Sequence, residues 1–552
     1  MKKLLWLFLF IFPGLSFAQS VLEVPAEDES GNVITNALIK YVVADTSNDG
    51  KQLHDIYKLQ RGKTYFYTQT PVFKNPITLV ADEPGTTDET KPPKILLALD
   101  DAGEAPEAPC ISTFADLTIK NIAFSTTTVE EAYSWANVIV LQSDGLTIDL
   151  EGCIFELSGW GMIEASVYNT VFKLNKCHVR NGTVLGSGDE WCPFFMEVNT
   201  GTADSVIIRN STFFDLQGSV MNIEAQNYVG YFEFDHNTLV NVVKGFTTNL
   251  DAHLNTKITN NIFYNVNCHG ATLEEVATTS DKLYGGVVSV DTLASNTPGS
   301  SLPFVMNEKD RKLTVANNIY FFSQGVKDYW AHYSDLLAKV EWMDSRAQGM
   351  FADKTTWPNF VEENNVNVDP GFTNFGGTDD MVAQMYNQRD NGTFGFWGWD
   401  PDSAIYPDVH WAFLQWPLPE DFTYSASVMG SDGYHVGSLV YYPSELAKYE
   451  NSLVSVGDQD NKIVPAKFDL QQNYPNPFNP STAISFSVPV DGKYALKVFN
   501  TLGQEVAVLA NGELTAGYHN VTFNPGNLSS GVYIYRLTGN NVNLCKKMVF
   551  MK

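Results

Sequence analysis

The sequence predicts an all-β protein, a right-handed parallel β-helix followed by a small C-terminal immunoglobulin-like β-sandwich. Two observations carry the prediction. Seven segments in the middle of the chain align on one another, mostly at intervals of 24–34 residues, with apolar and polar positions alternating as in a strand with one face in a core. Near the C-terminus, alternating runs at 483–488, 494–499 and 532–537 are separated by Gly, Pro and Asn, the pattern of short antiparallel strands joined by turns.

The elements follow in chain order. Lys2 and Lys3 precede an apolar run from Leu4 to Phe12 and the small-residue stretch Ser16-Phe17-Ala18, which reads as a secretory signal peptide over residues 1–18. The run is shorter than the ~20 residues needed to span a bilayer, so the expected mature protein is exported and not membrane-spanning.

The β-helix domain is expected over residues 19–445, with coils from about 30 to 320. The seven segments start at Leu117, Ile148, Phe172, Val206, Phe232, Thr256 and Leu313. They place Ile119, Leu150, Leu174, Ile208, Phe234, Ile258 and Val315 in one inward column. Phe124, Phe155, Val179, Phe213, Leu239, Phe263 and Tyr320 fall in a second. Ser211, Asn237, Asn261 and Asn318 form a corner column suited to stacked amides. Cys153 and Cys177 share a column one coil apart, as stacked thiols or as a bridge; a buried cysteine that merely fills space favours thiols.

Past residue 320 the pattern changes. Lys327–Gln348 reads as one amphipathic helix and 359–442 as loop-rich, together an aromatic-rich cap over about 321–445 that holds seven of the 11 tryptophans. Trp397 and Trp399 are candidate platforms for sugar rings, with a cap shielding the open end of the coils as the alternative. A linker is expected over 446–466.

Charge narrows the partners. Residues 19–466 carry 26 Lys/Arg against 59 Asp/Glu, a net of −33, which argues against nucleic acid. Six cysteines without a CxxC argue against a thiolate zinc site. Outward charges alternate in sign along the aligned strands, as in Lys120 with Glu151 and Glu233 with Lys257, the pattern of a solvated ladder. A second set ends the following strand of each coil in acid: Glu164, Glu197, Glu224, Asp251 and Asp291. Stacked carboxylates repel unless a cation binds, and Ca²⁺ is the natural ion, with Glu197, Glu224 and Asp251 as candidate ligands. Lys244, Lys257 and His253 flank them and are candidate proton-transfer groups.

Two resemblances bear on function. The middle of the chain resembles the right-handed β-helices of the pectin-lyase-like superfamily, its Asn-x-[Thr/Ile]-[Phe/Tyr] turns being similar to those of chondroitinase B and alginate lyases. That resemblance implies a polysaccharide partner and, if the protein is an enzyme, a Ca²⁺-assisted lyase. A glycoside hydrolase working through two carboxylates is a further chemical option, and a non-catalytic glycan-binding or adhesive surface protein is the alternative to both. The catalytic Lys and Arg motifs of those lyases are absent, so no residue role is carried over from them. Residues 467–552 resemble the type A C-terminal sorting domain of the type IX secretion system through Phe468-Asp469-Leu470-Gln471-Gln472-Asn473-Tyr474-Pro475-Asn476-Pro477-Phe478-Asn479-Pro480-Ser481-Thr482, Leu496–Val506, Ala516–His519, Ser530–Leu537 and Lys546-Lys547-Met548. This resemblance implies recognition by an outer-membrane translocon and a place at the surface of, or outside, a Gram-negative cell.

Overall fold

A computed structural model describes residues 20–129, 136–158, 160–182, 195–198, 201–223, 228–245, 250, 253–274, 285–293, 308–338, 340–394, 416–424, 428–455, 468–473, 476–515, 517–526, 528–539 and 542–551. The signal peptide over 1–18 and most of the linker lie outside these residues, as do Glu224, Asp251, Trp397 and Trp399.

Among the described residues, three parallel sheets wrap one core as a β-helix. Sheet I has eleven strands, running from Val21–Val24 to Phe360–Glu363; sheet II has ten, from Thr64–Tyr67 to Val366–Asn367; sheet III has six, from Val72–Phe73 to Met221–Ile223. From Ile56–Leu59 onward each coil contributes one strand to sheet I and then one to sheet II. The expected register holds residue for residue, since Leu117, Ile148, Phe172, Val206, Phe232, Thr256 and Leu313 are successive partners in sheet I. The ladder also continues past the seven segments, to Ile77 before and Phe360 after.

The inward columns are apolar because each rung stacks its side chains on the rung below. Ile119, Leu150, Ile208, Phe234, Ile258 and Val315 are fully buried, as are Phe124, Phe155 and Phe213. Between sheets I and II the chain turns through one left-handed residue per coil, at Asn121, Gly152, Lys176, Asn210, His236, Asn260, Asn317 and Asn364, with φ from 49° to 62°. Asn dominates because its short side chain tolerates this conformation. At Gly152 a Cβ would lie 2.3 Å from the Asn121 amide oxygen, so any other residue there would have to displace the Asn121 side chain.

The next residue in each coil builds the corner ladder. The backbone N–H groups of Ser211, Asn237, Asn261 and Asn318 donate to the Oδ1 atoms of Asn237, Asn261, Asn318 and Asn365 at 2.8–3.1 Å. Cys153 and Cys177 occupy earlier rungs of the same ladder as buried free thiols, with the Cys153 N–H donating to Cys177 Sγ at 3.4 Å. They are therefore not bridged.

The cap departs from expectation. In place of one helix over Lys327–Gln348 there are two, Gln324–His332 and Ser345–Ala352, separated by a strand Glu341–Met343 that pairs in parallel with Gly286–Val288. Ser323 and Asp344 N-cap the two helices through their side chains. A tertiary strand pairing thus overrides the local helical period. The loop-rich stretch contains a helix at Thr378–Asn391, and Pro443–Ser455 is helical across the expected start of the linker.

The C-terminal unit is antiparallel, with one sheet formed by Asp469–Leu470, Thr482–Val488 and Gly517–Phe523. Its second sheet is formed by Gly492–Asn500, Glu505–Leu514, Gly531–Gly539 and Val542–Phe550. The two enclose a separate core around Ile484, Phe486, Leu496, Val498, Tyr535, Leu537 and Met548.

Candidate functional site

The structure distributes the candidate residues over different faces. Glu197 lies on the outer face of sheet III, and Lys257 lies on sheet I, alternating with the buried Thr256 and Ile258. Lys244 follows the sheet II strand Thr238–Val242 and is nearly buried. His253 is fully buried, its ring 4.7 Å from that of Phe232, and burial together with the Arg311 guanidinium pushes it down to about 3. It is a neutral core histidine.

The acidic column itself is partly present. Glu164 and Glu197 are register partners on sheet III, but the next rung brings Asn222 opposite Glu197, which corrects the alignment of Glu197 with Glu224. The slip arises because strands of two or three residues carry too little periodic signal to fix a register. Side-chain donors hold both carboxylates: Asn137 Nδ2 donates to Glu164 at 2.8 Å and Trp160 Nε1 to Glu197 at 3.0 Å. Two carboxylates and an amide fall short of the six to eight oxygens Ca²⁺ takes, and among the described residues no three His, Cys, Asp or Glu side chains converge. The described column does not by itself fit calcium.

Two other clusters are perturbed by burial and serve as clamps. On the outer face of sheet II, Lys94 Nζ lies 2.7 Å from Glu156 and Arg180 lies 3.4 Å from Glu156 and 3.2 Å from Glu420, with every side chain at most 4% exposed. Burial pushes Lys94 down despite Glu156, and pushes Glu420 up against the pull of Arg180. Sealed this way, the quartet cannot meet a substrate; it fastens the segment carrying Glu420 to the coils.

At the corner between sheets I and II, His236 Nδ1 lies 2.9 Å from Asp235 and Nε2 3.3 Å from Asp432, with the rings of Tyr434 and Tyr449 against the imidazole. Tyr449 and Thr259 hydroxyls donate to Asp235 at 2.6 Å. Burial lowers His236, but Asp235 and Asp432 outweigh it and the net shift is upward; burial raises Asp235, but His236 and the hydroxyls hold it well below its usual range. The histidine's contribution is complete below its unfolded value near 6.5 and is lost as pH rises through the raised folded value. The aspartate's is complete above about 4 and lost only as pH falls through its depressed value. Stability is therefore expected to fall as pH rises above 6.5. The His236→Asn variant, whose new residue matches Asn210 and Asn260 in the same corner column, should lose that slope in denaturation measured from pH 6 to 9.

The sequence reading missed the far end of the coils. Aligning Phe360 on Leu313 puts Glu362 opposite Val315 and Asn367 opposite Tyr320, so both inward columns end in exposed polar residues. They line a cavity of ≈ 460 Å³ with Tyr320, Phe322, Glu341, Trp342 and Gln348. Trp342 stacks on Tyr320 at 4.8 Å and meets Phe263 edge-on at 5.4 Å, and its indole N–H has no acceptor among the described residues. Trp330, Trp357 and Trp416 are structural, their indole nitrogens donating to Cys268 O, Glu308 and Gly85 O.

The separate antiparallel core of the C-terminal unit, with its strands falling where the tail motifs lie, agrees with comparison to known families. Residues 472–551 match the family described as secretion system C-terminal sorting domain. The sorting domain directs the protein to the cell surface or the medium through the type IX secretion system, whose machinery is its partner. No curated protein matches the chain. No helix among the described residues is long and apolar enough to cross a membrane.

Proposed function

We propose that the exported β-helix engages polysaccharide through the outer face of sheet III, as a binding surface and not as a lyase. The observation that carries this reading is the register column Glu164, Glu197, Asn222, in which Glu164 and Asn222 are partly exposed, Glu164 is held in place by Asn137, and the buried Glu197 between them seats Trp160. A preoriented carboxylate and an amide two rungs apart on a parallel sheet, with rungs ~4.8 Å apart, can accept from and donate to hydroxyls of an extended glycan. The pectin-lyase-like resemblance points to the same substrate class. Against catalysis stand the dispersal of Lys257 and His253 away from this face and the −33 charge of residues 19–466, which repels a polyuronate.

The test is one screen of the mature protein with neutral polysaccharides, polyuronates and glycosaminoglycans, with Ca²⁺ or with chelator. Binding without ultraviolet-absorbing unsaturated product is expected, weakened at least tenfold in Glu164→Ala, a loss of about 1.4 kcal/mol or more. Calcium-dependent product lost in Lys244→Ala or Glu197→Ala would replace this reading with a lyase. No binding anywhere in the panel would end both.

A further inference from the structure

We infer that the open C-terminal end of the β-helix is a second glycan site, a pocket for the terminal rings of a neutral sugar chain. The inference rests on the reading that the exported domain engages polysaccharide, and gives that reading a ligand class and a mode of binding that the side of the coils does not supply.

The argument starts from the columns. An inward position in a β-helix is apolar wherever another coil covers it, as it is from Leu79 through Ile119, Leu150, Leu174, Ile208, Phe234 and Ile258 to Val315. Glu362 and Asn367 break both columns on the last rung. A helix that needed only to be closed would place apolar residues there under the cap, as happens one step away, where Phe360 is buried against Phe351 with ring centroids 5.2 Å apart. The cap instead leaves ≈ 460 Å³ open over Glu362 and Asn367, within the size range of small-molecule sites.

The lining has the chemistry of sugar recognition. Trp342, stacked on Tyr320, provides aromatic surface for the apolar face of a pyranose, while Glu341, Glu362 and Asn367 offer acceptors and an amide donor for its hydroxyls; the Gln348 amide is engaged by Glu341 and Met343 O. Among the described residues the lining holds two carboxylates and no Lys or Arg, a balance that favours a neutral over an anionic sugar. A cavity at an axial end, unlike a groove along the side, admits a chain terminus.

Polar residues at an open end also discourage end-to-end stacking of β-helices, and the experiment separates the two roles. The mature protein is titrated with cellotetraose, xylotetraose and mannotetraose and with the parent polymers, following tryptophan fluorescence and calorimetry. One tetrasaccharide is expected to bind and to change tryptophan fluorescence. Affinity should fall at least tenfold in Glu362→Ala and Asn367→Ala, whose positions are exposed and whose folding is read by circular dichroism, and should be unaffected in Glu164→Ala. Self-association of the two pocket variants with unchanged tetrasaccharide affinity would overturn the inference and leave end protection as the role. Polymer binding lost only in Glu164→Ala, with no tetrasaccharide bound, would overturn the pocket while the lateral reading stands; no binding of either kind would remove both.

Discussion

Replacing Glu156 with Ala is expected to destabilise the β-helix by about 3–5 kcal/mol, the cost of leaving buried charge uncompensated. Glu156 sits between two cations, with Lys94 Nζ at 2.7 Å and Arg180 Nη1 at 3.4 Å, and Arg180 in turn meets Glu420 at 3.2 Å. Two positive and two negative groups balance, and none has more than 4% of its side chain exposed. Without Glu156, both cations remain beneath the segment carrying Glu420 with one carboxylate between them, and neither can reach water without lifting that segment off sheet II. The measurement is chemical denaturation read by tryptophan fluorescence. The sorting domain contains no tryptophan, so the signal reports the β-helix alone. The simultaneous change of Lys94→Met, Glu156→Leu, Arg180→Met and Glu420→Leu should be close to neutral, because it removes the desolvation cost along with the attraction. A Glu156→Ala loss under about 1 kcal/mol would mean that water or another group already compensates the cations.

How far the sequence spoke depended on repetition. Sheets I and II were legible because the rungs repeat one environment: an inward apolar residue, usually aliphatic, a second inward apolar residue past the corner, usually aromatic, and a left-handed residue, usually Asn, between them. The same rule extends one rung further, with Phe360-Val361-Glu362-Glu363-Asn364-Asn365-Val366-Asn367 lying on Leu313–Tyr320. That alignment would have exposed Glu362 and Asn367 as polar residues in apolar columns, and with them the pocket. Sheet III was not legible at the level of single residues. Its strands are two or three residues long and the connections around them vary, so Glu197 slid from Asn222 to Glu224 with no periodic penalty. The charge quartet was hidden for another reason. Lys94 and Glu156 are 62 residues apart, and Glu420 comes from beyond the coils, so only the folded chain brings them together. The single helix over Lys327–Gln348 failed because Glu341–Met343 finds a strand partner that no local window contains.

Truncating the chain after Ala466 should remove export while leaving the β-helix folded, the largest functional effect expected of any change here. The sorting domain encloses its own core, and its first strand, Asp469–Leu470, pairs with Thr482–Val488, so the cut must precede Phe468 to avoid leaving an unpaired edge strand. Among the described residues, the core of the β-helix and its corner ladder draw on no residue beyond 466. The truncated protein should therefore show the tryptophan fluorescence and denaturation midpoint of the mature protein, and should accumulate in the periplasm of a host carrying the secretion system. Its level at the surface or in the medium should fall at least tenfold. Mass spectrometry of the exported wild type is expected to show a chain lacking residues 1–18 and most or all of 467–552. Attaching residues 467–552 to an unrelated periplasmic protein supplies the converse test: export of that passenger would show the signal to be self-contained. Undiminished release of the truncated chain would place the address in the β-helix instead.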